Sequence, residues 1–336
     1  MKRIPVVVAI AIFSCASLFA QAPQAQQPPQ APQAPQAPPT DTVAPNIPGV
    51  VAAGTKVEVI KDGFQGTEGP IALPDGSLIF TETNANRITK IDKNNAVSTF
   101  LENTNGSNAL AFDTKGRLIT VQTTPGQTRV GVVYPKGSET VLTDNYEGKP
   151  FGRPNDLTVD KKGGVYFTDP GPNAQPGAPP APLLAAVYYV PAGGRAIQVA
   201  DGIQRPNGIT LSRDERILYV NNTAGEYLLA FDVQTNGTLR NRRNFAKYEG
   251  VTKTGENFAS GADGLAVDGE GRIYVATTIG IQVFSPAGQH LGTIPLSRAP
   301  QNLAFAGPDK KTLYVVGRGV AFKVRMVAEG FKGRAK

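Results

Sequence analysis

Asp263-Gly-Leu-Ala-Val-Asp-Gly-Glu-Gly-Arg-Ile-Tyr-Val-Ala-Thr-Thr278 reads as a polar residue, an apolar strand, a tight turn and a second apolar strand. Five other segments superimpose on it: Glu68 to Thr83, Asn108 to Thr123, Asn155 to Pro170, Asn207 to Thr223 and Gln301 to Gly317. The turn glycine falls at the same offset from the lead residue in four copies, at Gly76, Gly116, Gly163 and Gly271. In the copies led by Asn207 and Gln301 the turn is one residue longer. Successive leads lie 38 to 56 residues apart, room for about four short strands each. No long stretch has helical period. Repeats of this length and content predict an all-β chain folded as a six-bladed β-propeller. Lys56-Val-Glu-Val-Ile60 precedes the first full copy. It is expected to add the outer strand of the last blade and close the ring.

The lead residue occupies the same place six times, at the start of the strand nearest the axis. Glu68, Asn108, Asn155, Asn207, Asp263 and Gln301 should therefore form a ring around the channel. All six present a carboxylate or carboxamide oxygen. Converging oxygens suit a hard cation, which takes about 6 to 8 of them. A purely hydrogen-bonded ring of amides is the alternative.

Composition narrows the chemistry. The chain has 336 residues, one histidine, one cysteine and a net charge of +7. A lone cysteine excludes internal disulfides and thiolate metal sites. A lone histidine, His290 in a turn-like Ser-Pro-Ala-Gly context, leaves little room for multi-His zinc or a Ser-His-Asp triad. One divalent metal ion bound through oxygen is expected, with Ca²⁺ first and Mg²⁺, Mn²⁺ or Zn²⁺ as alternatives. The basic residues are scattered and not interleaved with aromatics, so no nucleic-acid partner is expected.

Residues 1–20 read as a signal peptide: Lys2-Arg3, an apolar run from Ile4 to Phe13, then small residues. Ile12-Phe13-Ser14-Cys15 resembles a lipobox, so a lipid anchor at Cys15 competes with ordinary cleavage near Ala20 or Ala22. Residues 21–50 form a Pro/Gln/Ala-rich linker, and 51–330 the propeller. An exported protein, periplasmic or secreted and monomeric, is the expectation.

The same residues resemble the gluconolactonase, regucalcin and senescence-marker-protein family. The likeness spans roughly residues 55 to 326. It rests on Thr67-Glu-Gly-Pro70, Asn84-Ala-Asn-Arg-Ile88, Arg153-Pro-Asn-Asp156, Tyr166-Phe-Thr-Asp-Pro170, Pro206-Asn-Gly-Ile209, Asp263-Gly-Leu265 and Asn302-Leu-Ala-Phe305. The resemblance implies an axial divalent metal held by Glu68, Asn207 and Asp263. It also implies substrate contacts from Arg153 and Asn155; Asn108 of the ring is expected to join them. Two places depart from the family. Val121-Gln-Thr-Thr-Pro125 replaces a Glu-His-Gly motif, and Gly171-Pro-Asn173 replaces Pro-Tyr-Gly. Both departures are expected at the channel mouth, which puts gluconolactone itself in doubt as the substrate.

The expected activity is metal-dependent hydrolysis of a sugar lactone or similar small lactone, with Asp263 as metal ligand and general base. A non-catalytic ligand-binding propeller with structural Ca²⁺, or a related arylesterase, is the alternative. Asp156 and Asp169 read as buried structural partners. The proline-rich stretch 169–182 reads either as a stiff wall over the metal or as a plain connection.

Overall fold

The computed structural model describes residues 37–172 and 185–336. The expected signal peptide, Cys15 and linker residues up to 36 lie outside the described residues, as do residues 173–182 of the proline-rich stretch. The described chain is all β, with no α-helix, and builds a six-bladed propeller.

Five blades are four-stranded antiparallel sheets read in chain order. Blade 1 spans strands from Thr67 to Glu102, blade 2 from Ser107 to Thr143 and blade 3 from Leu157 to Ala200. Blade 4 spans Pro206 to Lys247 and blade 5 Leu265 to Ile294. Blade 6 takes three strands from Asn302 to Arg325 and completes itself with Lys56–Asp62, which pairs antiparallel to Val320–Arg325. The expected closing strand is therefore present, with Val57 opposite Val324 and Val59 opposite Phe322. It joins the two ends of the propeller through backbone hydrogen bonds.

Burial follows the sequence pattern. The innermost strand of blade 1, Thr67–Ala72, is wholly buried, whereas its outermost strand, Val97–Glu102, is half-buried or exposed. Apolar faces of neighbouring blades meet: Phe80 and Leu78 of blade 1 pack on Ala304, Ala306 and Val316 of blade 6. The turn between the two inner strands is built alike as Asp-x-x-Gly in blades 2, 3 and 5, while in blade 1 Asp75 stands directly before the glycine. Asp75, Asp113, Asp160 and Asp268 each turn a carboxylate oxygen back onto main-chain N–H groups two or four residues on. The glycine after each has φ between +74° and +84°, a region costly for any side chain. In the two longer turns Glu215 and Lys310 occupy that left-handed region instead.

Two boundaries differ from the expectation. Residues 39–50, assigned to the linker, belong to the compact unit: Ala44, Ile47 and Val50 are buried against blades 5 and 6. Four apolar residues among prolines, Ala44, Ile47, Val50 and Val51, are enough to anchor this segment. At the other end, the propeller does not stop at 330. The N–H of Phe331 reaches the carbonyl of Val267, Arg334 holds the carbonyls of Leu211 and Ser212, and Ala335 accepts from the N–H of Ala72. The last six residues thus lie across the end of the channel where the inner turns sit. They help line a cavity of about 850 Å³ there, with Leu73, Phe112, Tyr134 and Leu157.

Candidate functional site

The six lead residues come together at the opposite end of the inner strands, and side chains of the second strands hold them there. Thr81 donates to the carbonyl of Asn108 at 2.7 Å, Thr168 to that of Asn207 at 2.7 Å, and Asn221 to that of Asp263 at 2.5 Å. Each bond runs from one blade to the lead residue of the next. Glycine after the lead lets the blades close up. A Cβ on Gly69 would sit 2.5 Å from the carbonyl oxygen of Asn108, and one on Gly208 2.2 Å from that of Asp263. The Glu-Gly, Asn-Gly and Asp-Gly pairs therefore have a packing reason as well as a chemical one.

Within the ring the oxygens are not equivalent. The Asn108 amide donates to the carbonyl of Asn155 at 2.8 Å, and its Oδ1 accepts from Thr83 at 3.3 Å. Gln301 donates to Glu68 at 3.3 Å and accepts the N–H of Arg318 at 2.7 Å. These two side chains are engaged in holding the ring. Asn207 and Asp263 differ: Asn207 Oδ1 and Asp263 Oδ1 are shut from solvent and accept no hydrogen bond. Glu68, 6 % exposed, accepts from Gln301 and, at 3.1 Å, from Asn302. Of the six converging oxygen donors, Glu68, Asn155, Asn207 and Asp263 thus keep acceptor capacity to spare, and only Asn207 and Asp263 hold a buried oxygen with no partner. Asn155 is buried, and its carboxamide receives no hydrogen bond from the described residues.

An acceptor buried without a donor costs on the order of 1–3 kcal/mol. Two such oxygens beside a carboxylate fit a cation. Among the described residues no three His, Cys, Asp or Glu side chains converge. That is consistent with this donor set, in which the third oxygen is an amide.

The electrostatics agree. Burial pushes the Glu68 carboxyl up to about 7, opposed by its bond from Asn302 and reinforced by the charge of Asp156. Burial, then the charge of Glu68, raise Asp263 well above the carboxylate range, and Arg318 opposes the rise. Arg153 is drawn below the usual guanidinium range by burial and next by Arg205. Its Nε is buried with no partner. Glu68, Asp263 and Asp169 pull the other way, so Arg153 stands beside the acidic ring.

Asp169 and Asp156 are structural, as read from the sequence. Asp169 accepts the N–H groups of Gly152, Arg153 and Gly171. Asp156 accepts those of Leu157 and Ile209, and pairs with Lys336 at 2.6 Å. Among the described residues the His290 side chain hydrogen-bonds only to Thr293 and packs against Phe284. Sequence reasoning missed Arg205, Arg318, Asn302 and Lys336. For Arg205 a signal existed, because Arg-Pro-Asn occurs at both 153–155 and 205–207.

The departures from the family motifs also have structural explanations. Gln122 accepts from Asn105 at 2.8 Å and from Arg129 at 2.6 Å, so it braces the loop entering blade 2. The segment 123–125 follows it at the ring end of blade 2, and Gly171 follows Asp169 at the ring end of blade 3.

Known proteins share both the sequence pattern and the fold of this chain. A gluconolactonase of Zymomonas mobilis is 30% identical over 311 residues, covering 84% of each chain. A gluconolactonase structure from Xanthomonas campestris superposes with a TM-score of 0.71 and 26% identity, over 87% of this chain and 99% of that one. The calcium-binding protein regucalcin of Agrobacterium tumefaciens shares the fold, with a TM-score of 0.66 and 19% identity, over 82% of this chain and 95% of that one. The sequence model of the SMP-30/gluconolactonase/LRE-like region matches residues 66–318, and the chain belongs to that family.

Proposed function

We propose that this chain hydrolyses a lactone, using one divalent cation held by Glu68, Asn207 and Asp263. The pair of buried acceptors without donors, Asn207 Oδ1 and Asp263 Oδ1, is the observation that carries the reading. Gluconolactonase relatives support the lactone, and the all-oxygen donor set favours Ca²⁺. When bound, the cation supplies Lewis-acid polarisation of the ester carbonyl and lowers the pKa of water. Glu68 contributes charge and is fixed by Gln301 and Asn302. Asp263 would carry two tasks, as a ligand that helps hold the cation and as the carboxylate that accepts a proton from the attacking water. Arg153 aims a forked donor at substrate oxygens, and the free carboxamide of Asn155 hydrogen-bonds the substrate hydroxyls. Asn108 keeps Asn155 in place and offers only the remaining lone pair of Oδ1. Export directed by residues 1–20 belongs to the same reading, and fractionation of the producing cell checks it.

Asp263→Asn keeps shape and an oxygen ligand but removes the base. Lactone hydrolysis followed by pH-stat should fall by roughly 10² or more, with cation content retained. Undiminished hydrolysis with the cation still bound would assign the proton transfer to another group. An absence of turnover on any lactone would leave a ligand-binding propeller.

A further inference from the structure

The motif Arg-Pro-Asn occurs in adjacent blades, at Arg153-Pro-Asn155 and Arg205-Pro-Asn207. In both the asparagine is a ring residue. In both the arginine N–H is held by a polar side chain at the end of the blade's second strand. Asp169 Oδ1 takes it at 2.9 Å in blade 3, and Asn222 Oδ1 at 3.1 Å in blade 4. The following proline restricts the arginine backbone to an extended conformation, so the two side chains start from equivalent backbone anchors at the channel rim. A third comes from blade 6, where Arg318 is tied by its N–H to the ring residue Gln301. The charges of Arg205 and Arg318 are both felt at the ring, on Arg153 and Asp263 respectively.

Among the described residues none of these three guanidinium groups meets a carboxylate or donates a hydrogen bond to another group. Several arginines elsewhere at strand ends and turns are paired. Arg87, Arg117, Arg272 and Arg325 each reach a carboxylate within 2.8 Å. A divalent cation would offset Glu68 and Asp263, and the Asp169 carboxylate already accepts three main-chain N–H groups. Three unpaired cations then crowd one rim, and a neutral substrate would leave them so.

We propose that the lactone taken by this site carries a second, anionic group, carboxylate or phosphate, bound at the rim by Arg205 and Arg318 beside Arg153. The proposal rests on the lactone-hydrolase reading above and narrows its substrate. An oxyanion supplies the planar, forked acceptor that guanidinium groups match best. A charged rim also draws such a substrate in, faster at low ionic strength.

The test compares three lactones on the cation-loaded enzyme: glucono-δ-lactone, its 6-phosphate, and the corresponding lactone with a 6-carboxylate. The expected result is a kcat/KM for one anionic lactone at least about tenfold above the neutral one. That advantage should shrink in about 0.5 M salt and fall about tenfold in Arg205→Gln or Arg318→Gln. Whichever anionic lactone is preferred identifies the group. If the neutral lactone is hydrolysed as well as both others, and neither variant changes the ratios, the anion subsite is wrong and the lactonase reading stands. If none of the three is hydrolysed, both fall together.

Discussion

Glu68 and Asp263 are two carboxylates buried in one ring; burial and the charge of Asp156 make ionisation of Glu68 harder, and burial and the charge of Glu68 make that of Asp263 harder. A carboxyl that holds its proton more tightly folded than unfolded stabilises the fold below its ordinary range near 4.5. It loses that contribution as the pH climbs through about 7. The cation-free protein should therefore lose thermal stability between about pH 5 and pH 8, and a bound divalent cation should suppress the loss. Glu68→Gln makes the point sharper. At pH 8 the variant without cation should melt higher than the parent, by about 2–4 °C per kcal/mol of repulsion relieved, yet gain less from added cation. A variant that melts lower, or that gains as much, would mean that the two acids do not share one ligand-hungry site. The repeat brings six equivalent positions together in the sequence, and the family resemblance singles out Glu68, Asn207 and Asp263 among them. What the sequence could not show is which oxygens stay open. Asn108 and Gln301 belong to the same ring, but partners from other blades engage them.

At the scale of elements, the last six residues contribute more than their sequence suggests. Phe331-Lys-Gly-Arg-Ala-Lys336 has no strand period and carries three cations, so it reads as a solvated end. Its burial is tertiary. Arg334 is held by the carbonyls of two residues of blade 4, and Lys336 reaches Asp156, whose side chain is 1 % exposed. Removing one partner of a buried ion pair costs about 3–5 kcal/mol. Lys336→Met should therefore lower the melting temperature markedly. Asp156→Asn in the same chain should restore part of the loss, which a double-mutant cycle would measure. Additive losses would show that the pair is not coupled. Residues 39–50 pose the converse case: proline-rich composition hides a few apolar anchors. The repeated strands were legible because alternation and an Asp-x-x-Gly turn leave local traces. Neither terminal segment repeats, so neither leaves one.

At the scale of the molecule, closure of the ring sets the site. Lys56–Asp62 bonds blade 6 to the chain's beginning, and Glu68 follows six residues later as the first member of the ring. Without closure, Glu68 and Asp263 would have no fixed separation, because Gln301 of blade 6 lies between them and donates to Glu68. Blade number, closing strand and the identity of the ring were legible from six repeats. Of the arginines at the rim, Arg153 came from the family resemblance and Arg205 left a trace in the second Arg-Pro-Asn, whereas Arg318 left none because it occupies a connection rather than a repeated strand. The proposed hydrolysis depends on a cation at the ring, and one titration tests that dependence directly. The purified protein is stripped by chelation, and Ca²⁺ is returned stepwise while bound cation and lactone hydrolysis are measured together. Activity should be absent in the stripped protein and rise in step with one cation per chain, and Asn207→Ala should weaken both. Full hydrolysis by the stripped protein, or cation binding that leaves the rate unchanged, would contradict it.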